Sequence, residues 1–272
     1  MISIITAVRN QRSMNSIFLE NLKKYTKVPY ELIIIDNASS DGSRELFERF
    51  GARMIYNNGN YSYPYCQNQG IEIAQYDILA FLNNDIILSP NWDERLLKVM
   101  TEKKLDIVTM STNDRIESRS ATKKIYKRWK YIKYPIQFLF GNTVFGLKLM
   151  HKLMYGNWKK WTTKRWNTFQ ADVQEGFSGS CIMMNKSALD KIGLWDERIQ
   201  AADFDTYMRS KKRYIEYKDI LPIHNLLGVY IHHYGKLTLK SKNLTPFTDK
   251  DNLIPLKEKW GDEHDKMLKD LP

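Results

Sequence analysis

ILAFLNNDIIL, residues 78–88, is the stretch whose reading decides the fold. Residues 78–82 form a continuous apolar run of the kind that parallel sheets bury on both faces. The run stops at two amides and a carboxylate, Asn83, Asn84 and Asp85, before apolar residues resume. A core strand that ends this way sets oxygen-bearing side chains on the rim of its sheet. In open α/β sheets ligands bind beyond the carboxyl ends of the strands. ELIII (31–35) repeats the arrangement and runs into DNASSDGS, with Asp36 and Asp41. Two strands therefore deliver carboxylates to one rim.

Outward from these strands the pattern alternates. ISIITAV (2–8) reads as a first strand close to the terminus, and Ile17, Phe18, Leu22 and Tyr25 share one face of a helix stopped by Pro29. Ser43 is placed to cap a second helix with Leu46, Phe47 and Phe50 inward, closed by Gly51. Further strands are expected over 52–56, 77–82 and 105–110, and helices over 65–75 and 90–103. Later in the chain, 176–185 turns into a strand, 186–193 is a helix, and 194–212 leads through a loop into another. Strands are expected over 214–223 and 227–232, and a final helix over 249–260. Such alternation predicts an α/β fold with a mostly parallel central sheet flanked by helices. The chain divides at 1–112, 113–172, 173–240 and 241–272.

At 272 residues the chain can bury one large core or two small ones. Its 43% hydrophobic and 27% charged residues exclude a disordered or collagen-like protein. Two cysteines, Cys66 and Cys181, make neither a disulfide framework nor a zinc site, which fits a reducing compartment. MISIITAVRN lacks a basic n-region, and no window reaches the roughly 18 apolar residues of a membrane span, so a cytoplasmic location is expected. Neither a P-loop nor a G-x-G-x-x-G after the first strand is present. A nucleotide at this rim would lack a glycine cradle, and a divalent metal held by carboxylate and amide oxygens would neutralise its diphosphate instead. The plainer role of such a carboxylate is to cap a helix or tie down a turn.

The order of strand, NASSDGS, Asn68-x-Gly70, FLNND, GFSGSCIMMNKSALDKIGLWDE and ADFDTYMR resembles the family 2 glycosyltransferases of GT-A fold, with a rhamnosyltransferase-like branch among the candidates. The resemblance covers residues 2–112 and 173–238. It implies inverting transfer of a sugar from a UDP-, dTDP- or GDP-linked donor to a glycan or lipid-linked acceptor, with Mn²⁺ or Mg²⁺. By it, 1–112 would bind the nucleotide-sugar and 173–240 the acceptor. Thr6, Val8, Asp36, Asp41, Asn68 and Asn84 would serve the nucleotide. Asp85 would be the metal ligand, with Asn83 departing from the family's D-x-D, and His232 or His233 would lie near metal and diphosphate. Asp203 falls at the position of the catalytic base, where the family's preceding Glu is Ala202 here. Asp203 and Asp205 lie two apart, so only one can face the reaction, and Asp203 could instead cap its helix. Trp195, Asp196 and Asp205 would shape the acceptor pocket.

The formal charge of +11 has a single source. Residues 118–171 hold thirteen Lys and Arg and no Asp or Glu, leaving 29 basic against 31 acidic residues elsewhere. The same segment holds Trp129, Trp158, Trp161 and Trp166, and an uncharged stretch over 134–147. Cations flanking an apolar stretch too short to span a bilayer suggest an interfacial element on anionic lipid, hence peripheral attachment to the inner membrane face. A lid or a subunit contact would use the same features. Nucleic-acid binding would explain the charge but not the carboxylate rim.

Overall fold

The computed structural model describes residues 1–235, 237, 245–269 and 271. Its first part follows the apolar runs closely: β1 (Ile2–Val8), α1 (Arg12–Tyr25), β2 (Tyr30–Asn37), α2 (Ser43–Phe50), β3 (Arg53–Asn57) and α3 (Tyr63–Ile73). Then come β4 (Ile78–Leu82), the two-residue β5 (Ile86–Ile87), α4 (Trp92–Lys103) and β6 (Ile107–Thr112). The basic segment is three helices, α5 (Arg119–Phe140), α6 (Val144–Tyr155) and α7 (Trp158–Phe169). The chain continues through β7 (Val173–Glu175), β8 (Cys181–Asn185), α8 (Ser187–Ile192), α9 (Ala202–Tyr217) and β9 (His224–His233). Two short helices, α10 (Leu256–Trp260) and α11 (Glu263–Leu268), follow.

The strands form one sheet in the order β3-β2-β1-β4-β8-β6-β9, with β7 and β5 on the outer edge of β9. β3, β2, β1 and β4 are mutually parallel, and so are β6 and β9. Only β8, between β4 and β6, and the edge strands β5 and β7 are reversed. Six parallel strands therefore end on the same side, at Val8, Asn37, Asn57, Leu82, Thr112 and His233. This is the rim that the strand-end oxygens marked.

Each face of the sheet has its own core. Phe18, Leu22, Phe47 and Trp92 pack under α1, α2 and α4 on one side. Phe81, Tyr207 and Trp260 pack on the other. A third cluster joins α5, α6 and α7 to Met14, Ile17, Ile87, Tyr230 and Tyr234. Trp129 and Trp158 belong to this cluster, and full burial of such side chains stabilises by about 1.5–3 kcal/mol or more each. The segment is thus an integral layer of the fold. At its far end α7 meets β9 so closely that a Cβ on Gly228 would lie 2.0 Å from the Gln170 carbonyl oxygen.

Three local expectations are corrected. Ser43 does not cap α2: Gly42 occupies that position at φ 83°, and the Ser43 N–H and hydroxyl both donate to Asp41 Oδ1. No strand forms over 214–223, because α9 continues to Tyr217, where Lys218 ends it in the left-handed region. The alternation of RYIEYK also suits a half-exposed helix, and Arg213 pairs with Asp219 past its end. The single helix expected over 249–260 is divided by Pro255. The ring cannot continue a helix from the preceding turn, so only a 3₁₀ turn over 250–252 precedes it and α10 begins after it.

Candidate functional site

A cavity of about 690 Å³ opens above the rim. Val8, Asn37, Asn84, Asp85 and His233 line it from the sheet, and α5 supplies the facing wall with Trp129, Lys130 and Lys133. Lys133 is buried and donates to the carbonyls of Tyr234 and Gly235 at 2.7 and 2.6 Å, fixing α5 against the chain that leaves β9. Asn15, fully buried in α1, gathers the rim loops. Its amide donates to the Asn10 carbonyl and to Ser43 Oγ, and its Oδ1 accepts from Asn84 Nδ2 at 2.6 Å. Asn84 therefore keeps its Oδ1 and one amide N–H for a ligand.

Asp85 and His233 meet at the cavity floor. His233 Nε2 lies 3.1 Å from Asp85 Oδ1, and its Nδ1 lies 2.5 Å from Asp114 Oδ2. Asn113 brackets the His233 backbone through both of its amide atoms, at 2.8 Å each. Burial acts to lower the imidazole pKa, but the Asp85 charge and hydrogen bonds to both carboxylates together push it up to about 10. The positive ring in turn outweighs burial at Asp85 and holds that carboxyl below its ordinary value. A proton thus occupies the point where Asp85 and His233 converge. Asp114 was missed in the sequence, although TNDR follows a strand as NND does.

His232 points the other way. It is buried in the third cluster, its Nδ1 2.9 Å from His151 Nδ1, with Trp129 edge-on at 4.4 Å. Burial holds it well below the usual histidine value. As successive residues of a strand face opposite sides, only one of the pair can reach the rim, and His232 is corrected to a core residue.

Asp203, in the first turn of α9, lines a second cavity of about 790 Å³ that shares Asn83, Asp114 and His233 with the first. Burial raises its carboxyl above the usual range, against the Phe204 N–H that donates to it at 3.0 Å. Gly179 makes room for it, since a Cβ there would lie 2.0 Å from Asp203 Oδ2.

The other sequence candidates lie off the two cavities. Asp36 is buried and taken by Arg44, whose Nε and Nη2 donate at 3.0 and 2.8 Å. Asp41 organises its loop by accepting from the Arg12 N–H at 2.8 Å. Thr6 is fully buried, its hydroxyl without a partner among the described residues. Asn68 clamps the Trp195 backbone at both its N–H and its carbonyl. Trp195 itself is core, edge-on to Phe81 and Tyr63. Asp196 is held well below the usual carboxylate range, first by Arg198 and then by Lys259. Asp205 is buried and binds Arg209 Nε at 2.8 Å, Lys259 Nζ at 2.7 Å and Trp260 Nε1 at 2.8 Å. Trp195, Asp196 and Asp205, expected at an acceptor pocket, are therefore corrected to structural positions.

Among the described residues no group of three or more His, Cys, Asp or Glu is arranged to hold an ion. Asp85 offers a carboxylate oxygen and His233, once its Nε2 proton leaves, a ring nitrogen, and a Mg²⁺-type ion commonly takes one or two carboxylates and fills its shell with substrate phosphates and water. The donor set fits an ion delivered together with a diphosphate.

The family model for glycosyl transferase family 2 matches residues 3–193. The glycosyltransferase AglE of Haloferax volcanii is 30% identical over 118 residues, 39% of this chain and 38% of its own. The chain spans less than two fifths of the length of the curated relatives it matches. Among solved structures, the mannosyltransferase PcManGT of Pyrobaculum calidifontis, in complex with GDP-Man and Mn²⁺, superposes with a TM-score of 0.52 at 12% identity, over 82% of this chain and 56% of that one. TarS of S. aureus, in complex with UDP-GlcNAc, gives 0.51 at 13%, over 85% and 58%. At these identities the two structures show a common fold.

Proposed function

Because the chain belongs to glycosyl transferase family 2, we propose that it transfers a sugar from a nucleotide-diphosphate donor to an acceptor hydroxyl with inversion. The observation that carries this reading is the pair of joined cavities, one floored by Asp85 and His233 and the other holding Asp203. The nucleotide lies in the first, against Val8, Asn37 and Asn84, with its diphosphate toward Asp85. Asp85 Oδ1 and His233 Nε2, the latter after giving up the proton it shares with Asp85, would hold Mn²⁺ or Mg²⁺, which would supply charge neutralisation of the diphosphate leaving group. Asp203 accepts the proton of the acceptor hydroxyl as its oxygen attacks the anomeric carbon from the side opposite the diphosphate. Complexes of fold neighbours with GDP-Man and Mn²⁺ and with UDP-GlcNAc support a nucleotide-sugar donor. A nucleic-acid surface would give this rim no role.

The expected result is metal-dependent thermal stabilisation by one nucleoside diphosphate among UDP, dTDP and GDP. Asp85→Ala removes the only carboxylate of Asn83-Asn84-Asp85 and should abolish that dependence while the chain still folds. An unchanged Mn²⁺ dependence in the variant overturns the site assignment. Stabilisation by oligonucleotides alone overturns the transferase reading.

The acceptor is a lipid-linked or other glycan precursor, reached at an anionic membrane surface. No described helix is long and apolar enough to cross a membrane. Nor do the tryptophans supply the contact, since Trp129 and Trp158 are buried and Trp161 and Trp166 partly so. The apolar surface is instead the tip of the α5–α6 hairpin, where Phe138, Leu139 and Phe145 are 89%, 69% and 61% exposed. Lys124, Lys127 and Arg128 are exposed along α5 behind it. At about 1 kcal/mol per cation near an anionic surface, changing these three to Gln should cut binding to anionic vesicles roughly 100-fold. Phe138→Ser with Phe145→Ser should release the salt-resistant part. Equal partition to anionic and zwitterionic vesicles, or to neither, sinks the membrane placement.

A further inference from the structure

The cavity of Asp203 contains more cations than its carboxylates use. Arg115, Arg119 and Lys123 line one wall of it. Of the two carboxylates lining the same space, Asp114 is taken by His233 and Asp203 accepts the Phe204 N–H. Arg119 donates to the Leu271 carbonyl at 2.8 Å, and Arg115 has a long 3.5 Å contact to the Glu175 carbonyl. Among the described residues none of the three forms an ion pair with a carboxylate. The charges of Arg115 and Arg119 also oppose one another.

The loop over 176–180 is cut to fit both sides of this arrangement. A Cβ on Gly176 would lie 2.1 Å from Arg115 Nη2, as one on Gly179 would lie 2.0 Å from Asp203 Oδ2. One short loop thus seats a guanidinium and a carboxylate facing the same space. Uncompensated guanidinium groups beside an ammonium suit a phosphate, which accepts bidentate donation from arginine and carries enough charge for several cations.

We propose that the acceptor carries a phosphate group, received by Arg115, Arg119 and Lys123 while the hydroxyl to be glycosylated lies at Asp203. This rests on the transferase reading above. The phosphate can belong to a soluble sugar phosphate or to the linkage of a sugar to a lipid, and both present the same oxygens to these cations.

The test titrates glucose 1-phosphate, glucose and glucuronate into the protein by calorimetry, with and without Mn²⁺ and the nucleoside diphosphate that stabilises it. Arg119→Gln/Lys123→Gln is the main variant, because both side chains are exposed. Arg115→Gln is the second. Glucose 1-phosphate should bind and glucose should not, and the double variant should weaken that binding at least about tenfold without changing nucleoside diphosphate affinity. Equal binding of glucose and its phosphate, or binding unaltered in both variants, overturns the proposal. Glucuronate binding as tightly as the phosphate replaces a phosphate subsite by a general anion subsite and also overturns it. A fall in nucleoside diphosphate affinity assigns the cations to the donor. Loss of anionic-vesicle binding with glucose 1-phosphate binding intact assigns them to lipid headgroups. Either assignment overturns the proposal. If no nucleoside diphosphate binds at all, the transferase reading fails, while the titration without nucleotide still reports on the cations.

Discussion

Asp203→Asn should transfer sugar roughly 10²–10⁴-fold more slowly than the natural chain, the range associated with removing a general base. The amide keeps the size of the carboxylate beside Gly179 and can still accept the Phe204 N–H, so folding and donor affinity should not change. In the natural chain the base works only when deprotonated, and burial places its pKa above the ordinary carboxylate range. Transfer should therefore fall as pH drops through that raised value, and this acid limb should vanish from the residual activity of the variant. Single-turnover rates measured across pH separate this loss from a binding defect. Near-normal turnover would move the base elsewhere.

Two residues along, the same chemical group does different work. Asp205→Ala should destabilise the fold by about 3–5 kcal/mol, the cost of breaking a buried ion pair by removing one partner. Arg209, Lys259 and the Trp260 indole all converge on this carboxylate, which is fully buried and ties α9 to α10. Lys259 retains Asp196 at 2.8 Å and Arg209 is partly exposed, which favours the lower end of the range. Asp205→Asn keeps an acceptor for Trp260 and should cost less. Urea unfolding of the three proteins decides the matter, and a loss below about 1 kcal/mol for Asp205→Ala would remove Asp205 from the structural network.

The sheet and its rim were legible because continuous apolar runs and the oxygens that end them are local signals. Asp85 and Asp203 reach cavities where such signals place them. Choosing between His232 and His233 required the phase of a strand flanked by apolar residues on both faces, which the run NLLGVYIHHY does not reveal. Asp36 sits on the rim but is bound by an arginine eight residues away. The roles of Asp196 and Asp205 depend on Lys259 and Trp260, more than fifty residues further along, and no spacing within ADFDTYMR announces that. In the basic segment, aromatic composition reads alike for lipid contact and for a core. Only packing separates buried Trp129 and Trp158 from exposed Phe138 and Phe145.

The shared wall at α5 also limits how this chain can be re-engineered. Because α5–α7 bury their apolar side chains on Met14, Ile17, Ile87, Tyr230 and Tyr234, and Lys133 satisfies two carbonyls beyond β9, excising 118–171 would uncover a hydrophobic seam and orphan polar backbone at once. Grafting the segment onto another scaffold would carry its cations and its hairpin tip but not the surface it folds against. A working chimera must transplant α1, β5 and β9 as one cassette with the three helices, so a swap with any relative has its crossover points set by packing and not by the limits of the insertion.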